Sequence, residues 1–331
     1  MLKLAILDDY TRTAQKNANW SPLKEKVEIT SFDRHLSEEE AKLALKPFDI
    51  ICTMRERTLF PRTLFASLPN LKLVTTIAAR LVGLDMAAAT EHGVLVCHDD
   101  LPRSNPKIVS ATPELAWGLM IATVRHIIQE NQNIRQGGWQ YTIGDFILRG
   151  RTLGVLGLGR VGKLIAKYGL AFDMNVIAWS PSLTAEAAVE LGARRVEKDD
   201  LFKESDVLII CAALNDRSRG TVTARELGLM KPTAYLINPS RGPIVDEAAL
   251  IAVLRDRRIA GAGLDVFDQE PMPKDHPFRT MDNVVATPHL GYNVNEAMHY
   301  WYTDTIETVQ AFVNGSPIRI ANPEALPKVT S

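Results

Sequence analysis

Three residues with the chemistry of a carbonyl reduction stand in similar surroundings in the second half of the chain. Arg241 follows Asn238-Pro239-Ser240 and precedes Gly242-Pro243, Glu270 closes Phe267-Asp268-Gln269, and His289 lies in Thr287-Pro288-His289-Leu290-Gly291-Tyr292. Each comes just after a short apolar run that reads as a strand. Reducing a 2-oxo acid takes a cation for the carboxylate, a proton donor for the developing alkoxide, and an acid partner for that donor. A guanidinium can clamp a carboxylate with two parallel hydrogen bonds. An imidazole changes charge near neutral pH, and a neighbouring carboxylate fixes its tautomer and favours its protonated form. Singly, a loop Arg, His or Glu is ordinary. The ends of three successive strands of one parallel sheet converge on one crevice, which makes the set meaningful.

A hydride source is expected from Arg151 to Gly162, RTLGVLGLGRVG. The apolar run Leu153 to Leu156 leads into Gly157-Leu158-Gly159-Arg160-Val161-Gly162, and a helical pattern follows through Leu164, Ile165, Ala166 and Leu170. Strand, glycine turn and helix in that order predict a dinucleotide site with the pyrophosphate at the helix N-terminus. About twenty residues on, where a carboxylate would bind the adenosine ribose, the strand closes at Trp179-Ser180-Pro181-Ser182 with no acid. Arg194 and Arg195 lie beyond the next helix in sequence. Both NAD(H) and NADP(H) therefore stay open as cofactor.

The elements that must position these residues alternate between strand and helix along the chain. Apolar strands are expected at 3–7, 27–32, 49–54, 71–77 and 94–97, with a capping box at Ser37 and Glu40 opening a helix between two of them. Asp99 to Lys107 carries two prolines and no apolar period, which marks a linker. A long helix is expected from Thr112 as N-cap to Ile128, with Pro113 at its first position. After Leu153–Leu156, further strands are expected at 176–179, 207–211, 234–238, 261–266 and 284–287, with helices opening at Thr184, Thr223 and Asp246. That makes six strands. A last helix from Val294 to Phe312 has no sheet left to cover and is expected to return to the first domain. The fold class expected is α/β, two doubly wound parallel-sheet domains with a cleft between them. A Rossmann-like cofactor domain (102–293) is inserted in a flavodoxin-like substrate domain (1–101 plus 294–331).

Composition narrows the rest. The 331 residues carry 38 Lys and Arg against 39 Asp and Glu, a formal net charge of -1, so no basic surplus points to nucleic acid. Hydrophobic residues make up 46% and charged residues 23%, which fits a globular chain. Cys52, Cys97 and Cys211 are far apart, read as buried thiols and have no metal-ligand spacing. No run approaches the ~20 apolar residues of a membrane helix. The start reads as a strand rather than a secretory signal, and a cytoplasmic protein is expected.

Four blocks carry a resemblance that covers nearly the whole chain: GLGRVG at 157–162, INPSRGPIVDEAAL at 237–250, GAGLDVFDQEP at 261–271 and TPHLGY at 287–292. In that order and spacing they resemble the D-isomer-specific 2-hydroxyacid dehydrogenases. The resemblance implies that Arg241, Glu270 and His289 are the catalytic trio and that Asp265 binds the nicotinamide carboxamide. It implies that Gly157, Gly159, Arg160, Val161, Gly162, Ser180, Cys211, His289 and Gly291 line the cofactor. It also implies a substrate loop at Leu73 to Arg80, in which the amides near Ala78 and Ala79 meet the carboxylate held by Arg241, with Arg55 of MRERT nearby. A small 2-oxo or 2-hydroxy acid is the expected substrate. A homodimer is expected through the region around the apolar helix that carries Leu115, Trp117, Leu119 and Met120. Two readings compete: a formate dehydrogenase-like enzyme, which as a class has Gln in the place of Glu270, and a non-enzymatic NAD-sensing protein of the same fold.

Overall fold

The computed structural model describes residues 1–77, 81–98 and 106–326. The chain divides into two compact units, Met1–Ile108 with Val294–Ser331, and Val109–Asn293.

In the first unit β1 (Leu2–Ile6), α1 (Ala14–Asn17), β2 (Val27–Ser31), α2 (Glu38–Ala44), β3 (Ile50–Thr53), α3 (Arg62–Ser67), β4 (Leu73–Thr76), α4 (Met86–Glu91) and β5 (Leu95–His98) follow one another. The strands form one parallel sheet in the order β2-β1-β3-β4-β5, the doubly wound order expected of a flavodoxin-like domain. Ser37 and Glu40 close the expected capping box at the start of α2. Leu7, Leu45, Ile51, Phe65, Val74 and Val96 are among the residues that fill one face of the sheet.

In the second unit α5 (Ala111–Val124) and α6 (Ile127–Arg135) precede β6 (Thr152–Leu156), α7 (Arg160–Ala171), β7 (Asn175–Trp179), α8 (Ala185–Val189), β8 (Arg194–Arg195), α9 (Lys198–Glu204) and β9 (Val207–Ile210). Next come α10 (Ala224–Leu227), β10 (Tyr235–Asn238), α11 (Glu247–Arg255), β11 (Gly261–Leu264) and β12 (Val284–Ala286). All pairings are parallel, in the order β12-β11-β10-β9-β6-β7-β8. Successive side chains of a strand take opposite faces. Val207, Ile209, Tyr235 and Ile237 accordingly pack with Trp117, Leu119 and Met120 of α5, while Leu208, Ile210 and Leu236 pack with Phe202, Leu250 and Leu254. Because both faces are covered, these strands are apolar throughout rather than alternating.

The last helix, α12 (Asn295–Val313), packs on α1 and β4 of the first unit, with the Trp20 and Tyr302 rings 6.0 Å apart and tilted.

Three expectations are corrected here. The sheet has seven strands, because Arg194–Arg195 adds an edge strand beside β7 that no apolar pattern announced. The helix expected over 112–128 opens one residue earlier, at Ala111, and breaks at Arg125-His126. His126 has φ +51° there, and the chain restarts as α6. Thr112 is not the N-cap. It lies inside the first turn, and its hydroxyl donates to the Gly291 carbonyl at 2.8 Å.

Candidate active site

The second sheet changes direction at β6, whose neighbours are β9 on one side and β7 on the other. A crevice opens at the carboxyl ends of strands on either side of such a switch. Gly157 leaves β6 with φ +99°, a conformation few residues other than glycine adopt, and a Cβ there would lie 2.9 Å from the Ala212 amide after β9. A Cβ on Gly162 would lie 2.1 Å from the Gly157 carbonyl oxygen, so helix α7 rests directly on the turn. Gly159, the N-cap of α7, meets nothing within 4 Å. The amides of Arg160, Val161 and Gly162 stand in the first turn of a twelve-residue helix, before its intrahelical acceptors begin. A dinucleotide pyrophosphate fits that cradle, and these residues would hold it.

The loops leaving the neighbouring strands are tied to one another. The Ser240 hydroxyl, after β10, donates to the Ala212 carbonyl after β9. The Asn238 side chain braces the next turn by accepting from the Ser240 amide and donating to the Arg241 carbonyl, both at 3.0 Å. A Cβ on Gly242 would fall 2.1 Å from the Phe267 carbonyl carbon, so the turn after Arg241 lies flush against the loop that carries Glu270. Arg241 itself is half-buried, and Nη1 donates to the Ser240 carbonyl at 2.7 Å.

Glu270 and His289 meet directly. His289 Nδ1 lies 2.6 Å from Glu270 Oε2, and Glu270 Oε1 accepts from the Phe267 amide at 3.1 Å. An ionised carboxylate only accepts, so the proton of that contact is on Nδ1 and the imidazole presents Nε2 as its working nitrogen. The residue is 8% exposed and the edge-on Tyr292 ring lies 5.6 Å from the imidazole. His289 has φ +54°, an unfavourable backbone for a non-glycine residue.

The carboxylate of Asp265 holds that backbone in place. Oδ1 accepts from the Thr287 hydroxyl at 2.6 Å and the Leu290 amide at 2.7 Å, Oδ2 accepts from the Gly291 amide at 2.8 Å, and the Asp265 carbonyl accepts from the His289 amide at 2.9 Å. Asp265 is fully enclosed. Burial raises its carboxyl above the usual carboxylate range, against the opposing pull of those three donors and of His289. The observed work of this carboxylate is therefore to secure the 287–291 loop. Gly291, expected at the cofactor, has both its backbone groups engaged within the protein.

Other expected residues are distributed differently. Ser180 is half-buried at the end of β7. Arg195, placed out of reach by its sequence distance, is brought back beside β7 by the edge strand. Its Nε donates to the Leu183 carbonyl at 3.0 Å, in the loop that starts at Ser180, and Nη1 pairs with Glu197 at 2.7 Å. Cys211 follows β9 beside the glycine turn; the residue as a whole is less enclosed than Cys52 and Cys97, but desolvation of its thiol pushes it up to about 12. None of the three cysteines is in a disulfide. Arg55 belongs to the first unit, with φ +54° and its guanidinium 5.3 Å from the centre of the Trp301 ring. Ala78 and Ala79 lie outside the described residues. Sequence reasoning passed over Thr287 and Tyr292, although both stand in the TPHLGY block, and over Thr112 as a tie to Gly291. Among the described residues, no group of three or more His, Cys, Asp or Glu is gathered to hold a metal, and no helix is long and apolar enough to cross a membrane.

A doubly wound sheet with a pyrophosphate cradle at its switch point, and with an Arg, a Glu and a His after β10, β11 and β12, defines a nicotinamide-dependent oxidoreductase. The comparisons give the family. The family model described as "D-isomer specific 2-hydroxyacid dehydrogenase, NAD binding domain" matches residues 117–291. The glyoxylate reductase of Pyrococcus furiosus is 32% identical over 310 residues, 91% of this chain and 90% of its own, and that of Aeropyrum pernix is 36% identical over 273 residues, 80% of each. Among solved structures, a phosphoglycerate oxidoreductase from Vibrio cholerae O395 superposes with a TM-score of 0.88 at 33% identity, covering 95% of this chain and 99% of its own. The D-lactate dehydrogenase of Escherichia coli gives 0.79 at 25% identity, covering 97% and 100%. The chain belongs to the D-isomer-specific 2-hydroxyacid dehydrogenases. It is an oxidoreductase acting on the CH–OH group of donors, with NAD or NADP as acceptor.

Proposed function

We propose that the protein reduces a small 2-oxo acid of the glyoxylate or hydroxypyruvate kind, with Arg241, Glu270 and His289 as its catalytic residues. The 2.6 Å contact between His289 Nδ1 and Glu270 Oε2 carries this reading. Arg241 holds the substrate carboxylate. His289, held by Glu270 at Nδ1, gives its Nε2 proton to the carbonyl oxygen as that oxygen gains charge. A bound reduced nicotinamide supplies the hydride. Relatives named glyoxylate reductase and glyoxylate/hydroxypyruvate reductase B support the substrate class. The carboxylate at 270 also separates this site from the Gln of the formate-oxidising class. A panel of 2-oxo acids assayed with NADH and NADPH tests the proposal. Turnover highest on two- and three-carbon substrates supports it, and cofactor binding with no turnover on any 2-oxo acid refutes it in favour of an NAD-sensing protein.

Glu270→Gln is expected to keep the Nδ1–H tautomer, since the amide oxygen still accepts, but to remove the negative charge that favours the imidazolium. Proton delivery from Nε2 then loses its charged partner, and kcat for reduction is expected to fall by about 10-fold, the scale of one lost hydrogen bond to a charged group. Unchanged turnover would take Glu270 out of the mechanism.

We also propose a homodimer, through the region around the apolar helix α5. Ala116, Trp117, Leu119, Met120 and Val124 of α5 are consumed by the core of their own unit. The chain just beyond leaves Ile134, Trp139, Tyr141, Ile143 and Ile147 in solvent, with Trp139 76% and Ile143 88% exposed. A run of large apolar side chains of this kind marks an interaction surface. Light scattering is expected to give twice the chain mass, and Ile143→Asp with Ile147→Asp to give the single chain mass. A monomeric wild type refutes the dimer. We assign the protein to the cytoplasm, where cysteines outside disulfides stay reduced.

A further inference from the structure

We propose that Glu247, backed by His276, is a positioning residue for the Glu270–His289 pair; this rests on Glu270 and His289 acting as proposed above. Glu247 is the first residue of α11, a place where an acid ordinarily serves the helix dipole in solvent. Here its carboxylate faces the protein and is 18% exposed. Oε2 accepts from the Asp268 amide at 3.0 Å, and Oε1 lies 3.0 Å from His276 Nε2. His276 is itself fixed. Its Nδ1 accepts from the Phe278 amide at 3.3 Å, so Nε2 carries the proton and donates to Glu247, while the ring lies 4.9 Å from that of Phe278.

The adjacent amide explains why this matters. Phe267 N–H is taken by Glu270 Oε1, and Asp268 N–H by Glu247 Oε2. Two carboxylates therefore grip consecutive amides of one loop, and one of the two is the acid partner of His289. Glu270 spends one oxygen on its own loop and the other on the imidazole. If the Asp268 amide is released, the turn that sets the direction of Glu270 loses its outer anchor. Glu247 also lies five residues after Gly242, whose backbone is flush against Phe267 and Asp268, so one side chain joins the segment that carries Arg241 to the loop that carries Glu270. Asp246, Asp268, Arg219 and His276 are the charged or titratable groups around this joint. Asp268 is raised by its burial and by the carboxylates of Glu247 and Asp246, which leaves the Asp268 amide as the favourable contact between two acidic residues.

The experiment is a double-mutant cycle on the full-length enzyme. Glu247→Ala is expected to lower kcat for 2-oxo acid reduction by about 10-fold, the scale of one lost hydrogen bond to a charged group, with KM and directly titrated NADH affinity changed less than about 2-fold. Glu247→Gln, which keeps an acceptor for the Asp268 amide, is expected to recover most of that loss. In the Glu270→Gln background the Glu247→Ala change is expected to cost less than about 2-fold, because there is no longer a charged acid partner to misdirect. Should Glu247→Ala fold poorly, His276→Gln takes its place in the same cycle, with the same loss of effect expected once Glu270 is Gln. An equal cost in both backgrounds, or no recovery in Glu247→Gln, overturns the inference. A Glu270→Gln enzyme with wild-type kcat overturns the catalytic reading itself, and so the two failures are told apart.

Discussion

His289→Ala is expected to lower kcat for 2-oxo acid reduction by about 10²- to 10⁴-fold, the range of general acid catalysis by a positioned side chain. The geometry argues for the upper part of that range. The residue is 8% exposed, and its imidazole is held by Glu270 at Nδ1 and flanked by Tyr292, so it is aligned before substrate arrives. Preorganised donors of this kind do not reorganise during reaction. Truncation also leaves the Glu270 carboxylate without its partner, so added imidazole is expected to restore part of the rate by refilling the space. NADH affinity, measured by fluorescence titration, is expected to change little, because the pyrophosphate cradle is built from the glycine turn and the start of α7. A variant with near-wild-type turnover would remove His289 from the role of acid. A variant that loses NADH binding in proportion to rate would make the residue a cofactor ligand instead.

How much of this was legible beforehand depended on the kind of interaction. The strands of the second sheet are covered on both faces, so each announces itself as an apolar run, and their ends located Arg241, Glu270 and His289 without a structure. Capping is equally local, and Ser37 with Glu40 could be read directly. β8 could not, because two arginines at a sheet edge carry no apolar pattern, and with it went the return of Arg195 to the Ser180 loop. The break at Arg125-His126 has neither glycine nor proline to mark it, and the left-handed His126 shows only in the backbone. The hold of Asp265 on the 287–291 loop and the place of Glu247 were hidden for a third reason. Each is a carboxylate whose partners are backbone amides of a distant loop, and an amide has no residue type to read. Around α5, apolar composition alone does not say which side chains face the core of their own unit and which face solvent.

Arg241→Gln is expected to lower kcat/KM for 2-oxo acids by about 10²- to 10³-fold, the cost of leaving a desolvated carboxylate without its charged partner. Arg241→Lys is expected to recover little, since an ammonium keeps the charge but not the two parallel donors. The loss should divide between the two kinetic constants. Attraction to the carboxylate acts on substrate and transition state alike and enters KM, while the orientation of the carbonyl toward His289 enters kcat. A substrate without a carboxylate separates the roles. With a simple aldehyde, wild type and Arg241→Gln are expected to differ by less than about 3-fold, because the contact removed was never made. The thermal midpoint is expected to stay close to wild type, since the Arg241 turn is braced by the Asn238 side chain and the Ser240 hydroxyl rather than by the guanidinium alone. An equal loss on aldehyde and 2-oxo acid would mean that Arg241 supports the site's structure and does not bind the substrate. A loss confined to the acid, with the fold intact, identifies the guanidinium as the counter-ion that a chain of net charge -1 must supply locally.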